Sequence, residues 1–347
     1  ACTETINREY FKAESALVDR NLCPIVMPKT EGRLPYLTDR LRLEVTVENG
    51  REIHAWPGAS EFDLRNIDEI VSGPISTGAF GTYLIELFNN AGTRITFIRE
   101  NAGELLEFAY RTPIEASHYH VSKLRKLTAH GGTFQIHRPT LELVNLIIET
   151  DPLPPESEMC LDRTAIDFQR GAERPTAQQS LLTILNTRGV VSRTRTTFSD
   201  CREFGAKSTI RFGEEGTPEA QRAAAKEVGS IPAGIRFSFR NSAMIDFDTA
   251  AIGDRISGRV NRTSDKNRLP EDSVVTGRII QLRQYPTIER TEIAFKLERI
   301  LIRGIPHPLS AVPDRGSNFA GGSVAFQGAA RPRAIATGRQ FAWITSQ

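Results

Sequence analysis

From Leu41 to Glu48 the chain alternates without a slip. Leu41, Leu43, Val45 and Val47 fall on one side, Arg42, Glu44, Thr46 and Glu48 on the other. Only a period of two gathers all four apolar side chains on one face, so the segment is a strand with one buried side. Asn49-Gly50 follows at once, and both residue types tolerate the positive φ that a type I′ turn demands. A hairpin with a return strand from Arg51 to Trp56, stopping at Pro57, is predicted. The same pattern recurs down the chain. Ile95 and Phe97 lead through Asn101-Ala102-Gly103 to Leu106, Phe108 and Tyr110, and another strand is predicted from Ser117 to Val121. Residues 132–137 and 141–150 flank Arg138-Pro139-Thr140 as a long hairpin. Asp151-Pro152-Leu153-Pro154-Pro155 cannot join a ladder, because proline brings no donor. Further strands are predicted near 164–168, 181–185, 190–198 and 208–212.

Helical signals are few and early. Thr5 to Leu17 reads as one amphipathic helix, followed by an irregular segment with Pro24, Pro28 and Pro35. Ser60 can cap a helix with Leu64, Ile67, Ile70 and Val71 on one face and Gly73 at its end. Thr77 can cap a second, in which Phe80, Tyr83, Leu84, Leu87 and Phe88 recur at i, i+3, i+4, i+7 and i+8. Residues 214–230, with three consecutive alanines, read as a solvated helix or linker. Beyond it, Ile231-Pro232-Ala233-Gly234-Ile235 and Leu269-Pro270-Glu271-Asp272-Ser273 open two related entries into β-structure. Phe237 and Phe239, then Ile293, Phe295 and Leu297, alternate with polar residues, and Ser323 to Trp343 can supply a closing hairpin. The predicted fold is mainly β, with an α+β N-terminal domain. A curved antiparallel half-barrel with two inserted helices is followed by a small β-barrel or sandwich. The predicted boundaries are 1–40 for the helix and irregular segment, 41–213 for the half-barrel, 214–230 for the linker and 231–347 for the second domain.

Composition bounds function by exclusion. At 347 residues, 39% hydrophobic and 25% charged, the chain can bury two cores. Its 44 basic and 42 acidic residues leave a formal charge of +2, too little for a dedicated nucleic-acid binder. No run approaches the roughly 18 apolar residues of a membrane-spanning helix. Ala1 in place of Met reads as a processed or truncated start. Lipidation at Cys2 would leave the cysteine first, which Ala1 contradicts. Cys2, Cys23, Cys160 and Cys201 lack metal-knuckle or redox spacing and fit disulfides in an oxidising compartment. Three pairings are open, with four free thiols as the alternative; Cys2–Cys23 with Cys160–Cys201 is favoured. The second of these bridges would stabilise by about 4 kcal/mol in the chain-entropy picture. The expected location is secreted or periplasmic, in a bacterium.

Reactive motifs are sparse. His118-Tyr119-His120 would set two imidazoles on one strand face, but a metal needs a third ligand and surface histidines account for the triplet. Residues 73–81 carry glycines before a helix, where free amides can hold an anion. They lack the lysine of a P-loop, and turn or cap glycines explain them. No nucleophile elbow and no Cys–His neighbourhood occurs, and Glu104, Glu107 and Glu115 are common enough to fall near one another by chance. Arg193, Arg195, Arg202 and Arg211 give nearby strands a basic tendency that suits a solvated sheet face. No cofactor motif is present. The helical face Phe80, Leu84, Leu87 and Phe88, in a chain with 18 phenylalanines, either packs a core or lines a lipid-accepting cavity.

The early hairpin, the predicted helix pair at 60–90 and the pattern Phe134-x-Ile136…Thr140-Leu141-x-Leu143 resemble the LolA-type lipoprotein carriers. That resemblance implies a curved sheet with helices in its concave face. Ser199-Asp200-Cys201-Arg202-Glu203-Phe204 and the Cys160 and Cys201 pair instead resemble uncharacterised secreted proteins of acidobacterial type. Ile231-Pro232-Ala233-Gly234, Ala251-Ile252-Gly253-Asp254-Arg255 and Leu269-Pro270-x-x-Ser273-Val274-Val275-x-Gly277 resemble the β-barrel of outer-membrane-channel subunits of type IV secretion systems. Those subunits add membrane helices that have no counterpart here. The compartment signal, the two β-domains and the absence of a catalytic motif lead to the expectation of a non-enzymatic, extracytoplasmic binding or envelope-assembly protein. Its expected partners are a lipid or other apolar ligand, or envelope proteins and further copies of the chain. The alternative is a structural subunit joined through β-edges.

Overall fold

A computed structural model describes residues 1–12, 23, 29–59, 73–121, 126–172, 174–202, 231–314, 323–327 and 333–346. The mainly-β expectation holds, with 58% strand and 5% helix in an antiparallel arrangement that is not closed into a barrel. The chain divides into two compact units, Ala1–Arg202 with Tyr285–Thr287, and Glu203–Gln284 with Ile288–Gln347.

Unit 1 is built on one antiparallel sheet. Its strands are β1 (Cys2–Lys12), β2 (Leu37–Glu48), β3 (Arg51–Ala55), β4 (Arg94–Asn101), β5 (Leu105–Thr112), β8 (His130–His137), β9 (Glu142–Thr150), β10 (Met159–Phe168), β11 (Ala177–Asn186) and β12 (Val190–Ser199). A two-residue pair, β6 (His120–Val121) with β7 (Lys126–Leu127), stands apart from it. The strand order is β4-β5-β8-β9-β10-β11-β12-β1-β2-β3. One rung crosses nine strands: Phe97, Phe108, Phe134, Leu146, Ile166, Ser180, Thr196, Ile6 and Leu41. The next rung reads Ile95, Tyr110, Gly132, Ile148, Thr164, Leu182, Thr194, Arg8 and Asp39. This face is apolar toward β4 and hydroxyl-rich from β10 to β12. Gly132 has to be glycine, because a Cβ there would lie 2.0 Å from the Ile147 carbonyl oxygen.

The N-terminal expectation is overturned. Residues 2–12 form no helix but strand β1, held between β12 and β2, so the first domain begins at residue 1 rather than 41. The inward set is Cys2, Glu4, Ile6 and Arg8, all buried; the inward charges hid its alternation. Arg8 is neutralised by Asp39, with Nη2 donating to Oδ2 at 2.8 Å. The favoured disulfide pairing is overturned with it. The bridges are Cys2–Cys201 and Cys23–Cys160, because the pairing of β1 with β12 brings residue 2 beside the end of that strand, far from it in sequence. The Asn49-Gly50 hairpin forms as read, with φ of 51° and 77°. The strand predicted from Ser117 to Val121 shrinks to the two residues of β6. The helix predicted after Ser60, the 208–212 strand and the 214–230 linker lie outside the described residues.

Unit 2 orders β16 (Val274–Tyr285), β15 (Arg255–Thr263), β13 (Arg236–Asn241), β22 (Gln340–Thr345) and β19 (Ala311–Pro313) side by side. In it β17 (Arg290–Ile302) pairs with β18 (Ile305–Pro308) and β20 (Ser323–Gln327), and β14 (Ile245–Asp246) pairs with β21 (Ala334–Ile335). Phe237, Phe239, Val260, Ile293, Phe341 and Trp343 are buried. Of the two expected forms, barrel or sandwich, a closed barrel is not seen. β18 and β19 are four and three residues long, and Pro306, Pro308 and Pro313 withhold ladder donors from them. The closing hairpin also fails: β20 pairs with β17, while β22 pairs with β13 and β19.

Candidate functional site

Helix α1 (Thr82–Asn89) packs on the apolar half of the unit 1 sheet. Thr77 does not cap it. The chain turns from 77 to 81, and the backbone amides of Gly78 and Gly81 donate to Glu52 Oε2 and Oε1 at 2.6 and 3.0 Å. The amides that were candidates for an outside anion are thus held by an internal carboxylate from β3. Thr82 Oγ1 adds a bond to the Gly50 carbonyl at 3.3 Å, fixing the helix start on the β2–β3 turn. The far end is fixed by Asn90, whose Nδ2 donates to the Ala116 carbonyl at 2.6 Å. His118 Nδ1 lies 2.9 Å from Glu86 Oε2 on the same helix.

So anchored, α1 forms one wall of an open groove of about 370 Å³. Leu84, Ile85, Phe88 and Asn89 come from the helix, and Ile136, Leu141, Leu143 and Pro175 from the sheet side. Phe88 is 50% exposed and Leu141 76%. Behind Phe88 runs an aromatic series: its ring meets Phe134 edge-on at 5.6 Å, Phe134 stacks on Phe108 at 5.1 Å, and Phe108 meets Phe97 edge-on at 5.6 Å. Of the four residues predicted to line a cavity, Leu84 and Phe88 do so. Leu87, 3% exposed, points into the core, and Phe80 packs on Phe198 at 5.5 Å. Ile136, Leu141, Leu143 and Pro175 were not foreseen as lining. Leu141 carried a signal in its place at a hairpin turn: its φ of 57° puts an apolar side chain in the left-handed region and in solvent.

Behind the helix lies a buried polar cluster that no motif announces. Burial and the neighbouring Glu4 push the Glu52 carboxyl up, although the two amides pull the other way. Burial opposes charge on His54, but the hydrogen bond and charge of Glu4, with Glu52, outweigh it and hold the imidazole above its ordinary value. His54 Nε2 stands 3.4 Å from Glu4 Oε2. Farther along the same face of the sheet, burial lifts the Asp162 carboxyl to about 6 against the hydrogen bonds of Thr150 and Tyr119. Burial also raises the Tyr83 and Tyr119 hydroxyls, whose rings lie 5.7 Å apart. It lowers His130 to about 4. Buried atoms without a hydrogen-bond partner include Ser76 Oγ, Asp162 Oδ1, Thr164 Oγ1, Ser180 Oγ and Thr196 Oγ1.

The remaining sequence candidates do not assemble into a site. His118 and His120 are exposed, and no group of three His, Cys, Asp or Glu side chains able to hold a metal occurs among the described residues. Glu107 takes hydrogen bonds from Arg99 and Asn101, while Glu104 and Glu115 stand in exposed turns. Arg193 donates to Thr30 and Arg195 to Gln179, Arg202 is exposed, and Arg211 lies outside the described residues. No helix among the described residues is long and apolar enough to cross a membrane, and the two disulfides suit an oxidising compartment. No known protein family, curated protein or solved structure matches the chain.

Proposed function

We propose that unit 1 is a non-enzymatic carrier that accepts one apolar chain in the groove beside α1, in a secreted or periplasmic setting. The observation behind this reading is the open groove itself. Its walls are Leu84, Ile85, Phe88, Ile136, Leu141 and Leu143, and two of them leave half or more of their surface to water. A volume of about 370 Å³ lies at the lower end of the range of about 300–1,000 Å³ for small-molecule sites, suiting one alkyl chain rather than a whole lipid. The resemblance to LolA-type carriers leads to the same reading. The test is native mass spectrometry of protein purified without detergent, followed by solvent extraction and a fluorescent fatty-acid titration. A bound apolar species, displaced by the probe and lost in Phe88→Ser, supports carriage. Protein that neither retains nor binds an apolar chain refutes it.

A second reading rests on β4. Among the described strands it pairs only with β5, and Ile95, Phe97 and Ile98 are exposed on it. Such an edge can take a strand from another subunit of an envelope assembly. The bulge between Phe97 and Arg99 bends this edge and weighs against that reading. Light scattering that finds a monomer at every concentration removes it.

A further inference from the structure

Unit 2 carries a polar pocket of about 520 Å³ lined by Arg240, Asn241, Ser242, Arg259, Val260, Asn261, Glu271 and Asp272. It has no part in the groove of unit 1. Arg240 on β13 and Arg259 on β15 are direct cross-strand partners. Residues so placed have Cβ atoms about 4.5–5.5 Å apart, and like charges there repel. Both side chains are exposed, and neither guanidinium has a hydrogen-bond or ion-pair partner among the described residues. Acidic groups are close in sequence, but Glu271 is engaged by Lys266, with Nζ to Oε1 at 3.1 Å. Asp272 sits at φ 67°, its amide donating to the Val260 carbonyl. Neither carboxylate forms an ion pair with Arg240 or Arg259 among the described residues.

We propose that this pocket binds an oxyanion, a carboxylate or phosphate group carried on a hydroxyl-bearing small molecule, with Arg240 and Arg259 as its two cationic ligands. Two guanidinium forks on neighbouring strands match the several acceptor lone pairs of such a group, and an anion between them removes their repulsion. The rest of the lining chooses the remainder of the ligand. Asn241 is 4% exposed; its Nδ2 donates to the Ala243 and Ala336 carbonyls, while its Oδ1 accepts nothing. Asn261 Oδ1 already accepts from Ser238. The lining thus joins two cationic donors, Arg240 and Arg259, to two carboxylate acceptors, Glu271 and Asp272, while the Asn241 oxygen is buried out of a ligand's reach. A hydroxyl-bearing molecule with a single anionic group satisfies both, whereas a polyanion would meet the Glu271 and Asp272 carboxylates.

The experiment uses the full oxidised chain with three probes: inorganic phosphate followed by ³¹P line width, and glucuronate and glucose followed by saturation-transfer NMR. Phosphate or glucuronate, or both in competition, should bind while glucose does not. Phosphate alone would identify a phosphate group as the ligand's anion, glucuronate alone a carboxylate. Arg240→Gln and Arg259→Gln should each weaken binding about tenfold, with unchanged melting temperature because both side chains are exposed. Arg262→Gln, exposed on the same strand outside the pocket, should bind as the parent does. Absence of binding by both anions at millimolar concentration overturns the proposal. So does glucose binding as well as glucuronate, or an Arg240→Gln, Arg259→Gln double variant that binds like the parent.

Discussion

Asp162→Asn tests the physical account of the buried cluster. Burial raises the Asp162 carboxyl from 3.8 to about 6, outweighing the Thr150 and Tyr119 hydrogen bonds. A carboxyl raised in the folded state contributes stability that is complete below pH 3.8 and lost as pH rises through 6. The shift is about two units, so the ionised form costs about 3 kcal/mol at neutral pH. Asparagine keeps the shape and an acceptor for Thr150 but cannot ionise. The variant should match the parent near pH 4 and exceed it by about 3 kcal/mol at pH 7.5. His130 supplies a built-in contrast. Its pKa falls from 6.5 to about 4 through burial, so its contribution is present above 6.5 and lost as pH falls through 4. Replacing His130 by Gln should therefore change the pH slope in the opposite sense. The assay is urea unfolding in steps from pH 4 to 8, resolved by hydrogen-exchange mass spectrometry of peptides covering β10 and β8. A stability difference for Asp162→Asn that stays flat across this range, or an asparagine that destabilises at pH 7.5, would refute burial as the dominant influence on this carboxyl.

Three further outcomes follow from the same geometry. Leu141→Gly relieves a left-handed conformation that costs a non-glycine residue about 1–2 kcal/mol, so thermal melts should show slight stabilisation while fatty-acid binding weakens. Glu52→Gln leaves one carbonyl oxygen to serve the Gly78 and Gly81 amides. Exchange of those two amides should quicken, with little loss of global stability because a buried charge is removed together with the bonds. Replacing Cys2 and Cys201 by serine opens a closure of 199 residues and should cost about 5 kcal/mol on the chain-entropy account, read as a drop in urea midpoint under oxidising conditions.

What could be read from the sequence depended on which face a residue served. Leu41 to Val47 and the Gly132 to Thr150 hairpin announced themselves because their inward positions are almost all apolar. β1 did not, since its inward positions alternate an aliphatic or sulfur side chain with Glu4 and Arg8, and each charge finds its partner only in three dimensions. Asp39 lies 31 residues from Arg8, and His54 reaches Glu4 from another strand. Tertiary pairing overrode local pattern, and the error carried into the disulfides, since the partner of Cys2 is set by β12. The groove was half legible. The spacing of Leu84 and Phe88 gave its helical wall, while Leu141 sits on a turn and Pro175 in a loop that a periodicity argument does not reach. Glu52, which does the work expected of Thr77, stands 26 residues from Gly78 on another element.

The two halves of the unit 1 face impose a limit on any ligand the groove takes. From β4 to β9 this face carries Phe97, Phe108, Tyr110, Phe134, Leu146 and Ile148. From β10 onward Thr164, Ser180, Thr194 and Thr196 interrupt the rungs. Thr194 Oγ1 donates to the Pro74 carbonyl, but the other three hydroxyls have no partner. Each unpartnered buried hydroxyl costs about 1–3 kcal/mol, a cost water can relieve and an alkyl chain cannot. A methylene moved from the Phe134 side to rest against Thr164 would lose the roughly 0.8 kcal/mol that apolar burial supplies and would hinder hydration of the hydroxyls. The groove's lining ends short of this strip, on α1, β8, β9 and Pro175, so chain length becomes the selective variable. Fatty acids should bind more tightly with each added methylene until the tail reaches β10, then gain nothing. Affinity that rises evenly across the whole homologous series would show that the tail leaves by the open side of the groove and never meets the strip.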